Sequence, residues 1–411
     1  MTDIDANSVT HAKQHSSLGW STPFFKLLCG VANRMKYGAL LVNLPDGGQL
    51  RFLGDEERDV QAIINVADYA FARRTLLGGD SGFFESFADG QWDTPDLAQC
   101  LYVFARNADY IANSFVGVPF VQFAEKCHHW ANKNTLSGSK KNIAAHYDLG
   151  NKFYEKWLDE TMTYSSARFE ASGADLAQAQ RNKYRTLAQS IDLQPGDSVL
   201  EIGCGWGGFA EYAAKDIGAS VTGLTLSKEQ LNYARERIFK QGLSDRVKFQ
   251  LVDYREAEGA YDKIASIEMF EAVGREYWPT YFEKVRERLK PGGQAGLQVI
   301  TIADRMFDHY VNSVDFIQRY VFPGGVLPSP SVLREQIENA GLTWRGNSSF
   351  GTDYARTLAE WHERFTEKWQ EIKTLGFDDR FNKLWRFYLA YCEAGFRAKT
   401  VDVCQVSLAR T

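Results

Sequence analysis

The stretch Val199-Leu-Glu-Ile-Gly-Cys-Gly-Trp-Gly-Gly-Phe209 decides the fold. Residues 199–202 have the character of a buried strand and run straight into glycines at 203, 205, 207 and 208. A helix-like run, Phe209 to Lys215, follows at once. Strand, glycine turn and helix in that order let backbone N–H groups and a helix N-terminus approach a ligand with no Cβ in the way.

The glycines alone leave the ligand open, because Gly203, Gly205 and Gly208 also fit the dinucleotide pattern. Glu201 stands just before them, where loops that bind S-adenosylmethionine (SAM) often carry an acid. A nicotinamide cofactor's ribose needs an acid about 20 residues further on. That region instead reads Val221-Thr-Gly-Leu-Thr-Leu226. SAM is therefore favoured over a dinucleotide and over a purely structural turn.

Outward from the glycines, helix and strand alternate. Leu176–Ser190 reads as a helix, Ser198–Ile202 as the first strand and Ser220–Gly223 as the second; Ser227 is placed to cap a helix running to Lys240. Val247–Val252 and Lys263–Ile267 are the next strands. A helix from Tyr277 stops at Leu289-Lys-Pro-Gly-Gly293, and Gln294–Ile302 is the fifth strand. Two more, Leu342–Gly346 and Thr400–Leu408, are separated by helices. The pattern predicts an α/β, Rossmann-like, doubly wound sheet of seven strands with an antiparallel last strand. Ligands of such sheets sit beyond the carboxyl ends of the strands, near the reversal in strand order.

The N-terminal part has different grammar. Residues 1–20 read as a disordered tail, and 21–125 as a smaller α/β domain contacting lipid or a partner. Within it, Trp20–Met35 carries Phe24-Phe25-Lys26-Leu27-Leu28 at helical spacing, either a helix docked on its own domain or a lipid- or partner-facing one. Gly38–Gly54 reads as a hairpin around Pro45-Asp-Gly-Gly48, Asp80–Trp92 as turn-rich, and Thr94–Val116 as a helix capped by Thr94 with Pro95 in its first turn. The stretch 126–145 is a basic linker: from Lys126 to Tyr147 there is no acid, while Lys126, Lys133, Lys140 and Lys141 add positive charge. It is either a solvated connector or a segment drawn to anionic headgroups. Residues 146–411 form the sheet domain, with a helical substrate cover expected near 304–325.

Bulk numbers narrow the classes. A net charge of −5 argues against nucleic acid as a partner, and six cysteines without a CxxC pair give neither a metal site nor a disulfide framework. The adjacent His128 and His129 lack further ligands. The acidic, polar start Met1-Thr-Asp-Ile-Asp does not read as a signal peptide, and no apolar run nears the roughly 18 residues of a membrane span. The expected location is cytoplasmic, meeting lipid from the water side. Aromatics at 14% suit a large core, a greasy tunnel or a cationic ligand.

Further runs give a resemblance: His146-Tyr-Asp-Leu-Gly-Asn151, Met162-Thr-Tyr-Ser165, Leu200–Gly208, Gly223-Leu-Thr-Leu-Ser227, Met269-Phe-Glu271, Tyr320-Val-Phe-Pro323, Leu327-Pro-Ser329, Asp353-Tyr354 and Trp361-His-Glu-Arg-Phe365. In that order, from about Lys140 onward, the chain resembles the cyclopropane-fatty-acyl-phospholipid synthases and mycolic acid cyclopropane synthases. The resemblance implies a class I SAM-dependent methyltransferase fold and methyl transfer to a cis double bond of a phospholipid acyl chain. Its implied setting is peripheral, on the inner face of the membrane, with homodimerisation left open. An alkene is a poor nucleophile, so such a site must exclude water, align the reactants and stabilise a carbocation. Loss of a proton from the new methyl closes a cyclopropane; loss from a neighbouring carbon leaves a methyl- or methylene-branched product, a step towards a furan fatty acid.

Residue by residue, the resemblance assigns SAM contacts to Tyr164, Ser165, Gly203, Cys204 and Gly205. Thr225, Leu226 and Gln230 fall to its ribose and methionine parts, and Asp253, Tyr254 and Arg255 to the adenine border. The family binds bicarbonate as base through a Glu, a Tyr, a His and a Cys. Glu271 and Tyr354 match, but Ser166 stands at the cysteine position and Gln298 at the histidine. Ala272 replaces the histidine commonly following the Glu, and Glu268 stands where a small residue is usual. Ser and Gln still hydrogen-bond an anion, but these departures lead to the expectation that Glu268 or Glu271 is the base itself. Cys392 matches a cysteine once proposed as nucleophile; Tyr391 and Glu393 offer its thiol no activation, which favours packing. Two competing readings are a lipid-binding or scaffolding protein with a decayed site, and a methyltransferase for a small soluble acceptor.

Overall fold

The computed structural model describes residues 22–112, 149–170 and 173–411. The basic linker and His146–Asp148 of the first family-like run lie outside them. The chain divides into two units, 1–125 with 378–398, and 126–377 with 399–411.

The larger unit is built on a seven-stranded sheet. Its strands are β5 (Ser198–Ile202), β6 (Ser220–Thr225), β7 (Val247–Leu251), β8 (Tyr261–Ile267), β9 (Leu289–Ile302), β10 (Thr343–Ser349) and β11 (Val401–Ala409). The spatial order is β10-β11-β9-β8-β5-β6-β7. Strands β5 to β9 run parallel, while β11 is antiparallel to both β9 and β10. The order reverses at β5, which has β6 on one side and β8 on the other, so the glycine turn after β5 emerges at the switch point.

Both faces of the sheet are covered. On one, Leu187, Ile191, Phe209, Ala213, Ala234 and Ile238 from flanking helices close over Val199, Val221 and Phe249. On the other, Trp278, Phe282, Val285, Leu333 and Ile337 pack on Leu200, Ile264, Leu297 and Val406. Each of the Val, Leu, Ile and Phe side chains among them contributes about 1.5–3 kcal/mol when taken out of water. Strand boundaries match the expected ones to within a few residues. The Lys-Pro-Gly-Gly stop differs: the helix Trp278–Arg288 ends before it, but the strand begins already at Leu289, with a register shift where it meets Tyr261 and Lys263.

The smaller unit has a four-stranded sheet, order β2-β1-β3-β4, from β1 (Tyr37–Asn43), β2 (Gln49–Leu53), β3 (Glu56–Val66) and β4 (Trp92–Asp93). The β1–β2 hairpin falls where the Pro-Asp-Gly-Gly turn places it. Two expectations fail. The stretch 80–88 is helical, because Ala70–Ala88 continues through a kink at Gly79 (φ 52°) and buries Phe84 and Phe87. The next helix is Leu97–Arg106, capped by Asp96 rather than Thr94, since the Asp96 carboxylate accepts from Gln99 N–H at 2.8 Å.

The division also departs from the expected continuous 146–411 domain. The helix Asp379–Arg397 belongs to the smaller unit. Its Phe387 ring meets Phe83, Phe84 and Phe87, and Lys383 donates to the Phe87 and Ala88 carbonyls that end the kinked helix. The helical character of Asp379–Arg397 is legible in the sequence; its partner helix, some 300 residues earlier, is not.

Candidate active site

The glycine turn is rigid where it leaves the sheet. Gly203 N–H and Cys204 N–H both donate to Leu224 O, at 3.1 and 2.8 Å, and Gly207 N–H closes the turn on Cys204 O. Gly203 has φ 83°, and a Cβ there would lie 2.7 Å from Met269. Gly205 has φ 51° with nothing within 4 Å of where its Cβ would point. Glu201, two residues before the turn, is buried with its Oε2 lacking a hydrogen-bond partner, and burial pushes its carboxyl well above the usual range. A cationic ligand donating to that oxygen would satisfy it. An open glycine cradle beside an orphaned carboxyl oxygen fits SAM.

The neighbouring strand ends supply the other expected contacts. Thr225 Oγ1 donates to Gln230 Oε1 (2.9 Å) and accepts from Ser227 N–H, while Ser227 caps the helix Lys228–Lys240 as expected. Leu226 is half-buried in the same turn. After β7, Asp253 takes the Arg255 guanidinium in a two-pronged pair at 2.8 and 2.7 Å, and that guanidinium lies over the rings of Tyr254 and Tyr277. Tyr254 itself turns inward onto Tyr281, so its ring belongs to the core.

From the glycine turn a wall of rings leads across the unit. Trp206 meets Tyr154 (5.0 Å between centroids), Tyr154 meets Tyr164 (5.4 Å), Tyr164 meets Trp361 (5.4 Å), and Trp361 meets Tyr354 (6.2 Å). The wall ends on a carboxylate, for Tyr354 Oη donates to Glu268 Oε2 at 2.6 Å. Ring faces attract cations.

Glu268 follows β8 directly, and its backbone is left-handed at φ 49°. That conformation disfavours an ordinary side chain by roughly 1–2 kcal/mol. It is held by Glu268 N–H donating to Gln298 O at 2.8 Å. The carboxylate accepts from Ser166 N–H (2.8 Å) and Gln298 Nε2 (2.7 Å) on Oε1, and from Tyr354 on Oε2. Burial nonetheless raises its pKa above the ordinary carboxylate value, against the lowering effect of the Lys183 charge and of these donors. Glu271, one 3-10 turn on, accepts from Ile300 N–H through Oε1 and has Oε2 without a partner. Burial, with the Glu268 charge nearby, pushes it up to about 8. Burial raises both carboxyls; Glu268 has the Lys183 charge and three donors opposing that rise, whereas Glu271 has only backbone donors and the Glu268 charge adding to it.

The expected cover, Asp304–Tyr310 and Phe316–Tyr320, is joined to this corner through the following loop. Val326 N–H donates to Glu271 O at 2.9 Å, and Tyr310 Oη accepts from Leu327 N–H.

The structure thus brings Ser166, Glu268, Glu271, Gln298 and Tyr354 together at the ends of β8 and β9, with Tyr164 in the ring wall. Cys392 falls instead on the helix of the smaller unit, half-buried. Sequence reasoning missed three contributors: Trp361 as the joint of the ring wall, Gln405, and Lys183. Gln405 donates to Gln298 Oε1 at 3.2 Å. Lys183 is fully buried and donates to Ser165 Oγ at 2.5 Å. Lys183 had a signal: it falls on the stripe Leu176, Ala179, Gln180, Lys183, Tyr184, Leu187 that the helix buries. Among the described residues no cluster of His, Cys, Asp and Glu suits a metal ion.

Comparison with known proteins places this geometry. The family profile for mycolic acid cyclopropane synthetase matches residues 134–406. The chain is 37% identical over 360 residues to a tuberculostearic acid methyltransferase of Mycobacterium tuberculosis, covering 83% of this chain and 81% of that one. It is 35% identical over 351 residues to the cyclopropane-fatty-acyl-phospholipid synthase of Escherichia coli, covering 85% and 88%. Among solved structures, the cyclopropane synthase MmaA2 from Mycobacterium tuberculosis superposes with a TM-score of 0.62 at 32% identity, covering 66% of this chain and 98% of that one. The mycolic acid cyclopropane synthase CmaA1 complexed with SAH and CTAB also gives 0.62, at 29% identity and the same coverages.

Proposed function

As a member of the mycolic acid cyclopropane synthetase family, the chain is a SAM-dependent lipid methyltransferase, and we propose that it methylates the double bond of an unsaturated phospholipid acyl chain with Glu268 as its built-in base. The observation that carries this reading is the wall of rings that starts at the glycine turn and ends on the Glu268 carboxylate.

SAM, when bound, supplies an electrophilic methyl on a positively charged sulfur. Gly203, Gly205, Thr225, Gln230 and the Asp253–Arg255 pair are the residues that would hold it, with Tyr164 and Ser165 closing the side towards the acyl chain. The alkene's π electrons would form the new carbon–carbon bond as the methyl–sulfur bond breaks and its electron pair returns to sulfur, so that the positive charge passes from the donor to the adjacent chain carbon. Tyr164, Trp361 and Tyr354 offer that cation their ring faces and no nucleophilic water. Glu268 Oε then accepts the proton whose loss quenches the charge. Tyr354, Gln298 and Ser166 fix the carboxylate in place beforehand, so no reorientation is needed at the moment of transfer.

Bicarbonate does not fit this scheme. The groups that would hold it, Ser166 N–H, Gln298 Nε2 and Tyr354 Oη, are already donating to Glu268. Which carbon gives up the proton decides between a cyclopropane and a methyl- or methylene-branched chain. A carboxylate fixed to the protein reaches one side of the cation only, which favours a single product. No helix among the described residues is long and apolar enough to cross a membrane.

The test is mass spectrometry of lipids after incubating the protein and unsaturated phospholipid vesicles with methyl-labelled SAM. A gain of one CH₂ unit supports the reading, and fragmentation separates ring from branch. Tight SAM binding with no change in lipid mass would overturn it in favour of a scaffolding role, and equal methylation without vesicles in favour of a soluble acceptor.

A further inference from the structure

We propose that Lys183 is a positioning residue for proton abstraction: a buried ammonium, bonded to Ser165 beside the Ser166 N–H that holds the base, that keeps Glu268 in its carboxylate form. The inference rests on the reading of Glu268 as base.

The first run passes through adjacent serines. Lys183 Nζ donates to Ser165 Oγ at 2.5 Å, and the next residue's N–H, Ser166, donates to Glu268 Oε1 at 2.8 Å. Gln180, one turn before Lys183, holds the same segment by donating to Ser165 O at 3.0 Å. A second run, through glutamines, ties the Lys183 backbone carbonyl rather than its ammonium to the base and so persists when the side chain is replaced. Gln405 Nε2 donates to Lys183 O (3.0 Å) and to Gln298 Oε1 (3.2 Å), and Gln298 Nε2 donates to Glu268 Oε1 (2.7 Å). Helix, strands β9 and β11 and the Thr163–Ser166 segment are thereby fixed to one another around a single carboxylate.

A lysine on the buried stripe of an amphipathic helix needs a reason, because an apolar residue would pack there without a buried charge. The charges around it supply one. Glu268 faces Glu271 from the following turn, Tyr354 from the helix Gly351–Glu367, and Lys183 from the helix Leu176–Ser190. Asp159 adds a second negative charge on the Lys183 side, Lys183 Nζ lies 4.9 Å from the centre of the Tyr184 ring, and Arg168 is engaged with Gln405 and Ser348. Burial pushes Glu268 towards its neutral, non-basic form, and the Lys183 charge is the largest opposing influence. Burial brings Lys183 itself down to about 7, against the raising effect of the Glu268 and Asp159 charges. Removing the ammonium therefore raises the proton affinity of Glu268, and the acid side of the rate profile moves to higher pH.

The experiment compares wild type, Lys183→Met, Lys183→Gln and Lys183→Arg. Infrared difference titration follows the protonated carboxyl band that disappears in Glu268→Gln, and single-turnover methylation of unsaturated phospholipid vesicles follows the rate against pH. We expect Lys183→Met to raise the midpoint of that band, and the acid limb of the rate, by about one pH unit or more. Lys183→Arg restores both. An unchanged midpoint in Lys183→Met, whatever happens to the rate, overturns the proposal. If the methionine variant does not fold, equal midpoints in Lys183→Gln and Lys183→Arg overturn it, and a higher midpoint in the glutamine variant supports it. The infrared readout needs no turnover, so a protein that fails to methylate lipid still tests the Lys183–Glu268 coupling.

Discussion

Replacing Glu268 by Gln changes one atom of the site and removes its capacity to take a proton. The amide oxygen can keep the hydrogen bonds from Ser166 N–H and Gln298 Nε2, while the new NH₂ group donates to Tyr354 Oη once that hydroxyl turns its own hydrogen away. Three hydrogen bonds to a charged acceptor become neutral ones, and the burial penalty on the charge disappears with them. These two changes oppose each other, so the folded protein should lose no more than about 1–2 kcal/mol. The chemistry has no such compensation. A positioned general base contributes on the order of a hundred- to ten-thousand-fold in rate, and the loss should appear in kcat with little change in KM for SAM, since no expected SAM contact is altered.

The assay is turnover with SAM carrying a trideuterated methyl group, read on the phospholipid. Loss of a proton from the new methyl leaves two deuterons in the product, and loss from the chain leaves three. In wild type the rate falls as pH drops through the raised pKa of Glu268, because only the carboxylate accepts a proton. That acid limb should vanish from the residual activity of Glu268→Gln. Stripping carbonate from the buffer should leave wild type unaffected. Glu268→Ala, which frees the Ser166, Gln298 and Tyr354 donors, should instead regain rate on adding bicarbonate or formate. The reasoning is refuted if Glu268→Gln keeps wild-type turnover while removal of bicarbonate abolishes it.

Other perturbations probe the rest of the site. Gly205→Val places a side chain into the open space of the glycine turn and forces a residue at φ 51°; SAM affinity measured by calorimetry should weaken by roughly an order of magnitude, about 1.4 kcal/mol, and unchanged affinity would move the donor elsewhere. Gly208→Ala drives a Cβ into the Tyr184 hydroxyl, which denaturant titration should register as about 1–3 kcal/mol of lost stability. Cys392→Ser should leave methyl transfer at the wild-type level, since that residue sits on the helix of the smaller unit with Phe387; loss of turnover with intact SAM binding would restore it as a nucleophile.

Much of the larger unit could be read directly, for a physical reason. Parallel strands buried on both faces are short apolar runs bounded by glycine or a capping residue, and Ser198–Ile202 and the Ser227 cap fall where those signals place them. The smaller unit was harder because local signals there compete with distant partners. Gly82 and Gly90 suggest turns, yet Phe84 and Phe87 gain more by staying helical against the helix Asp379–Arg397. Thr94 and Asp96 are both good caps, and only the backbone decides for Asp96. At the active site, strand-end residues were accessible one by one, whereas Lys183, Trp361 and Gln405 act mainly through partners 18 to 222 positions away and leave no local mark beyond a charged residue on an apolar stripe.

The departures in the anion corner argue together for a rebuilt site over a decayed one. Taken singly, Ser166, Gln298 and Glu268 each read as a loss: a missing thiol, a missing imidazole, a bulky acid at a position with left-handed backbone. Decay would leave such changes independent, with unpaired donors and an unopposed charge. Instead Ser166 contributes its N–H, Gln298 both its Nε2 and its backbone carbonyl, and all three bonds end on Glu268. The far side of Gln298 is taken by Gln405, and the negative charge is opposed by buried Lys183. A backbone conformation that disfavours Glu, with a buried carboxylate accepting three hydrogen bonds from Ser166, Gln298 and Tyr354, is a cost with no return unless the carboxylate itself is used. The charge that a diffusible anion would bring is here part of the chain.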